Sequence, residues 1–142
     1  MDIRRITPTY YVAPQLDPGD MPDVAAAGIT AIICNRPDAE VPPAFQADAM
    51  EEAARAAGLA FHRLPLTHAT MSPENAQQQA SLIAAADGPV LAYCASGTRS
   101  TVVWTLGHAA TMGVDEVLTA ARAGGYDLDA MRPTLQAVVA RS

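Results

Sequence analysis

Two stretches of this chain, Ile29 to Cys34 and Val90 to Cys94, are almost unbroken in apolar residues. A strand with one face in water alternates polar and apolar positions, so such runs predict strands covered on both faces. Parallel sheets between layers of helices provide that cover, and the intervening segments supply the helices. Asp17-Pro18-Gly19-Asp20 opens a short helix through Ala27, capped by Gly28. Phe45 to Ala57 has helical composition and ends at Gly58, and Ala60 to Leu66 reads as another strand. Ser72 before Pro73 and Glu74 is a strong start signal, with a hydroxyl at the N-cap and proline at the first helical position, for a helix to about Ala86. Further helices are predicted over Ser100 to Met112, Asp115 to Ala123 and Asp127 to Arg141, and short strands over Ile3 to Thr7 and Tyr10 to Ala13. The expectation is one α/β domain, residues 1 to 142, with a central mostly parallel sheet flanked by helices.

Composition narrows the chemistry. All 9 basic side chains are arginines, so no Schiff base or phosphate-loop lysine is available, while planar capture of oxyanions is. A net charge of −6 argues against nucleic acid and anionic membrane surfaces as partners. No apolar run approaches the roughly 20 residues of a membrane span, and the N-terminus does not resemble a secretory signal, so the expected location is cytoplasmic. Cys34 and Cys94 lie far apart without clustered histidines, which suggests neither a metal site nor a disulfide framework, and no cofactor is called for.

One segment carries chemistry. Val90 to Ser100 reads as a buried strand, then Cys94, a tight loop with Gly97, then Arg99 and a helix start. A cysteine there faces a helix N-terminus, whose free N–H groups and dipole stabilise a thiolate. The loop amides from Ala95 through Ser96, Gly97 and Thr98 can curl around an anion, and Arg99 can clamp two of its oxygens. Ser100 is expected to donate a hydrogen bond to the sulfur as it leaves. Together they suit covalent catalysis on an oxyanion-bearing substrate.

Cys94-Ala95-Ser96-Gly97-Thr98-Arg99-Ser100, taken with Cys34-Asn35-Arg36-Pro37-Asp38-Ala39-Glu40, resembles the phosphatase-like domain of the beta-lactamase hydrolase-like proteins, a bacterial family related in fold to dual-specificity and tyrosine phosphatases. The stretches Pro65 to Asn75 and Ala123 to Leu128 are similar too. The resemblance implies the cysteine-phosphatase fold, with Cys94 as nucleophile, the backbone from Ala95 to Arg99 as anion cradle and Arg99 as clamp.

Two departures bear on the reaction. The tyrosine-phosphatase signature has a histidine before its cysteine and one more residue between cysteine and arginine; here Tyr93 precedes Cys94 and only four residues separate Cys94 from Arg99. The shorter loop is similar to that of rhodanese-like sulfurtransferases, whose cysteine carries a persulfide. In addition, Thr67-His68-Ala69-Thr70-Met71 has no aspartate where such phosphatases usually place a general acid, which leaves His68 as the titratable candidate. The expected function is therefore a cysteine-dependent phosphatase-like hydrolase, with a sulfurtransferase or a weakly catalytic oxyanion-binding module as alternatives, and the expected partner is a phosphate- or sulfur-bearing substrate. Asn35 and Arg36 follow a strand ending beside that of Cys94 and are expected substrate contacts; the alternative is that Asn35 and Pro37 shape a turn and Arg36 pairs with Asp38 or Glu40. Cys34 is either a resolving thiol or, as the better expectation, a buried structural one. His62 and His108 are assigned to packing or surface, and Trp104 and Leu106 to the core behind the loop.

Overall fold

A computed structural model describes all residues from 1 to 142. Five strands form one sheet: β1 (Arg4–Thr7), β2 (Tyr10–Ala13), β3 (Ala31–Cys34), β4 (Ala60–Arg63) and β5 (Val90–Tyr93). Their order is β1-β2-β5-β3-β4; β1 is antiparallel to β2 and every other pairing is parallel. The helices are α1 (Met21–Ala26), α2 (Ala47–Ala56), α3 (Pro73–Ala85), α4 (Thr98–Met112), α5 (Val114–Ala123) and α6 (Arg132–Ala140).

The apolar runs do what their lack of alternation requires. In β3 and β5, Ile32, Cys34, Leu91 and Tyr93 point to the core beneath α1 and α2, while Ala31, Ile33, Val90 and Ala92 point to the core beneath α4, α5 and α6. Trp104 is a principal side chain of the second core, stacked with Tyr10 at 6.1 Å and His108 at 5.1 Å. Leu106 packs against that core but is only partly buried. Helices α3 and α4 approach closely at Gly107, where a methyl group would stand 2.7 Å from the Ala76 carbonyl oxygen. The Ser72 cap forms as expected, its hydroxyl accepting from the Asn75 N–H at 3.1 Å.

Among the boundaries that differ from the sequence reading, three have a clear local cause. Strand β4 stops at Arg63, ahead of Pro65, which has no N–H for the ladder. Helix α4 begins at Thr98 rather than Ser100, because Gly97 at its N-cap takes a φ of 92° and turns the chain directly into the helix. Helix α6 begins at Arg132 rather than Asp127: the Asp127 carboxylate accepts from the Asp129 N–H at 3.1 Å, a 3-10 turn follows, and Pro133 then starts the helix.

Strands β3 and β5 are neighbours, but β3 leads to α2 on one face of the sheet and β5 to α4 on the other. Their C-terminal loops therefore part and leave a crevice, the place where open α/β sheets bind ligands.

Candidate active site

Cys94 directly follows β5, completely buried, and the loop after it folds back over it. The Gly97 N–H donates to its sulfur at 3.1 Å. Around that contact, the backbone N–H groups of Ala95, Ser96, Arg99 and Ser100 have no acceptor within the protein, whereas the Thr98 N–H is taken by the Ser96 hydroxyl at 3.3 Å. Free amides at the start of a 15-residue helix, with the helix dipole behind them, favour negative charge in the loop.

Arg99 completes the loop, and its five N–H donors can be assigned one by one. Nη1 donates to Glu40 Oε2 at 2.8 Å and to the Leu66 carbonyl at 2.8 Å, and Nη2 donates to Glu40 Oε1 at 2.7 Å. Glu40 thus occupies the end-on edge of the guanidinium. Nε–H and the second Nη2–H make no hydrogen bond within the protein, and they form the side-on fork that matches two oxygens of an oxyanion. Glu40 foremost, and Cys94 to a lesser degree, raise the Arg99 pKa above its ordinary value against the opposing effect of burial. Conversely, Arg99 and then Arg36 hold the Glu40 carboxyl below its ordinary range, so Glu40 is an anion at neutral pH.

A cavity of about 440 Å³ opens beside this pair, lined by Glu40, Thr67, His68, Met71, Thr98, Arg99 and Val102. His68 is exposed on its wall and makes no hydrogen bond within the protein.

Beneath the loop lies a closed polar network. Asn35, Gln79 and Ser100 are fully buried, as is Tyr10. The Asn35 and Gln79 amides pair face to face at 2.7 and 3.2 Å. The remaining Asn35 N–H goes to the Leu64 carbonyl at 2.9 Å, and the remaining Gln79 N–H to the Tyr10 hydroxyl at 2.9 Å. The Tyr10 hydroxyl donates to the Ser100 carbonyl at 2.7 Å. Because both Asn35 N–H groups are committed, its Oδ1 can only accept, and it takes the Ser100 hydroxyl proton at 2.8 Å.

That polarity corrects two sequence expectations. Ser100 has one hydroxyl proton, spent on Asn35, so it does not donate to the Cys94 sulfur in this arrangement. Asn35 is sealed under the loop and is not a substrate contact. For Arg36 the ion-pair alternative is the one present: Nε lies 3.2 Å from Glu40 Oε1, and Nη1 donates to Gln15 at 3.3 Å. Asp38 instead caps α2, accepting from the Ala47 N–H at 2.8 Å. Both cysteines are free. Cys34 belongs to the core under α1 and α2, donates to the Arg36 carbonyl at 3.4 Å, and has its thiol pKa pushed up by burial. His108 packs on Trp104 and His62 is half-buried on β4, within the expectation of packing or surface roles.

Glu40 and Gln79 are among the residues that sequence reasoning did not assign to the site. Glu40 is 59 residues from Arg99, and nothing local to either marks the pairing. Gln79 did leave a trace, since it shares the buried stripe of α3 with Ala76, an apolar position by helical spacing.

Similarity to known proteins decides the family. Residues 2 to 111 match the beta-lactamase hydrolase-like protein, phosphatase-like domain. This chain belongs to that family. Beta-lactamase hydrolase-like proteins of Xylella fastidiosa and Agrobacterium fabrum are each 33% identical to it, over 90% and 74% of the chain respectively. The chain spans only 30% and 24% of the length of those two relatives. Among solved structures, a Neisseria meningitidis protein described as a candidate phosphatase superposes with a TM-score of 0.84 at 35% identity, covering 97% of this chain and 99% of that one. Tk-PTP in its active form gives 0.73 at 17% identity, covering 99% and 98%. A cysteine-to-serine variant of P. aeruginosa TpbA in complex with phosphotyrosine gives 0.63 at 14%, covering 99% and 91%. The phosphatase-like domain thus has the cysteine-phosphatase fold expected of it. No helix in it is long and apolar enough to cross a membrane.

Proposed function

We propose that this phosphatase-like domain is a cysteine-dependent hydrolase of phosphate monoesters, with Cys94 as nucleophile. The observation that carries the reading is that the loop folded over one buried sulfur, to which it donates through the Gly97 N–H, also holds unpaired amides and the unpaired side edge of Arg99. A phosphate seated there has its oxygens met by the N–H groups of Ala95, Ser96, Arg99 and Ser100 and by the Arg99 fork, all fixed before it arrives. The Cys94 thiolate attacks phosphorus; the S–P bond forms as the P–O bond to the leaving group breaks, and the leaving oxygen takes a proton from His68 or water. Water then attacks the phosphocysteine, releasing inorganic phosphate and restoring the thiolate. Glu40 is a positioning residue: by holding the end-on edge of Arg99, it keeps the side edge turned to the loop. The phosphotyrosine complex of the distant TpbA variant is consistent with a phosphate monoester as substrate class.

Sulfur transfer is a second reading favoured by one observation, the four-residue spacing between Cys94 and Arg99. In it, the Cys94 thiolate attacks the sulfane sulfur of a donor such as thiosulfate, whose S–S bond breaks to release sulfite, keeps the sulfur as a persulfide and passes it to a thiol or cyanide, which restores the thiolate. The family comparisons give it no support. Turnover of an aryl phosphate, and separately of thiosulfate with cyanide, by wild type and Cys94→Ser separates the readings. Phosphate release that disappears in Cys94→Ser is the expected result. Thiocyanate formation alone would replace the hydrolase by the sulfurtransferase, and turnover of neither would leave an oxyanion-binding module.

A further inference from the structure

We infer that Tyr126, which lies beyond the residues matched by the family, is a positioning residue that fixes the direction of the one loop amide aimed at the Cys94 sulfur. The Tyr126 hydroxyl donates to the Ser96 carbonyl at 3.0 Å. That carbonyl and the Gly97 N–H are the two ends of a single peptide plane, and the Gly97 N–H reaches the sulfur at 3.1 Å. The peptide bond is rigid, so the plane turns as a unit. A flip would lose the tyrosine at one end and the sulfur at the other. Gly97 makes such a flip cheap, since glycine adopts positive and negative φ about equally well, and its φ here is 92°. Tyr126 therefore supplies a constraint that this glycine lacks. A hydrogen bond accepted by the carbonyl also polarises the peptide and strengthens its N–H as a donor.

The tyrosine is itself held in place. Its hydroxyl fills the space that a side chain at Gly97 would need, and the Arg4 guanidinium lies 5.6 Å from its ring centroid while donating to the Gly124 carbonyl at 3.4 Å. Partial burial raises the phenol pKa, so the group remains a protonated donor. On the opposite side, the Ser96 hydroxyl donates to the Thr98 hydroxyl at 3.0 Å and accepts from the Thr98 N–H, bracing the same peptide. The titratable groups that sense Cys94 are Arg99, Tyr10 and Tyr126, and Tyr10 is tied into the buried network. The role applies to any chemistry run through a Cys94 thiolate and does not depend on the phosphatase reading.

Tyr126→Phe removes only the hydroxyl and keeps the ring under Arg4. The test is thiolate absorbance against pH in a Cys34→Ala background, where Cys94 is the only thiol, with Arg4→Lys as a control that keeps both a cation beside the ring and the tyrosine hydroxyl. Weakening one hydrogen bond to the thiolate should move the Cys94 midpoint upward in Tyr126→Phe by about 0.5 to 1. Arg4→Lys should leave it in place, and amide exchange at Gly97 should accelerate only in Tyr126→Phe. An unchanged midpoint in Tyr126→Phe, or an equal shift in both variants, would overturn the role. A shifted midpoint in a protein that does not hydrolyse aryl phosphates would instead retire the phosphatase reading and leave this one standing.

Discussion

Replacing Arg99 by lysine keeps the charge and tests the donor count directly. The guanidinium has five N–H groups and spends three of them within the protein, on the two Glu40 oxygens and the Leu66 carbonyl. An ammonium has three in total. A lysine that satisfies the same partners has none left for a substrate, so the variant loses both hydrogen bonds of the side-on fork. Hydrogen bonds to charged groups contribute about 1.5 to 3 kcal/mol each. The Arg99 side chain is still 24% exposed, which favours the lower end and a total of about 3 kcal/mol. That corresponds to a loss on the order of 10² in kcat/KM. The assay is steady-state hydrolysis of an aryl phosphate, with a thermal melt to verify folding. Adding Glu40→Ala to the lysine variant should recover part of the loss, because the ammonium regains donors, whereas Glu40→Ala alone should lower activity by releasing Arg99. Arg99→Lys with kcat/KM within about threefold of wild type would refute the fork.

Gln79→Leu should destabilise the domain by about 2 to 4 kcal/mol in urea denaturation, since it leaves one buried Asn35 N–H unpaired and removes a donor from the Asn35 oxygen and from the Tyr10 hydroxyl; a loss under about 1 kcal/mol would mean that the network relaxes or admits water. His108 gives a pH signature. Burial lowers its pKa in the folded state, so the unfolded chain binds the proton more readily as pH falls below the unfolded value of about 6.5, and stability falls with it. Melting temperature should therefore fall from about pH 7.5 to 5.5 in wild type and fall less in His108→Phe, and equal slopes would contradict the assignment.

The parts of the molecule that were legible in the sequence are those set by local pattern. The runs at β3 and β5 announced strands covered on both faces, Ser72 with Pro73 marked the start of α3, and the Cys94 to Ser100 segment marked the loop. Roles that depend on long-range partners were not legible. Ser100 looked like a donor to the sulfur because the two are close in sequence, yet the direction of its proton is decided by Asn35, whose amide is fixed in turn by Gln79 and Leu64. Glu40 was read only as a neighbour for Arg36, and its contact with Arg99 joins side chains from the loops that follow β3 and β5. The Tyr126 contact likewise depends on the turn after α5 returning to the loop.

The claim on which the rest depends is that Cys94 takes up the phosphoryl group. It is tested most directly by acid-quenching the protein during turnover of an aryl phosphate and locating the covalent adduct by peptide mass spectrometry. The account predicts a phosphoryl group on the peptide carrying Cys94, absent when Cys94 is serine and turnover is lost. Sustained phosphate release with Cys94 unmodified, or undiminished release by Cys94→Ser, would contradict it.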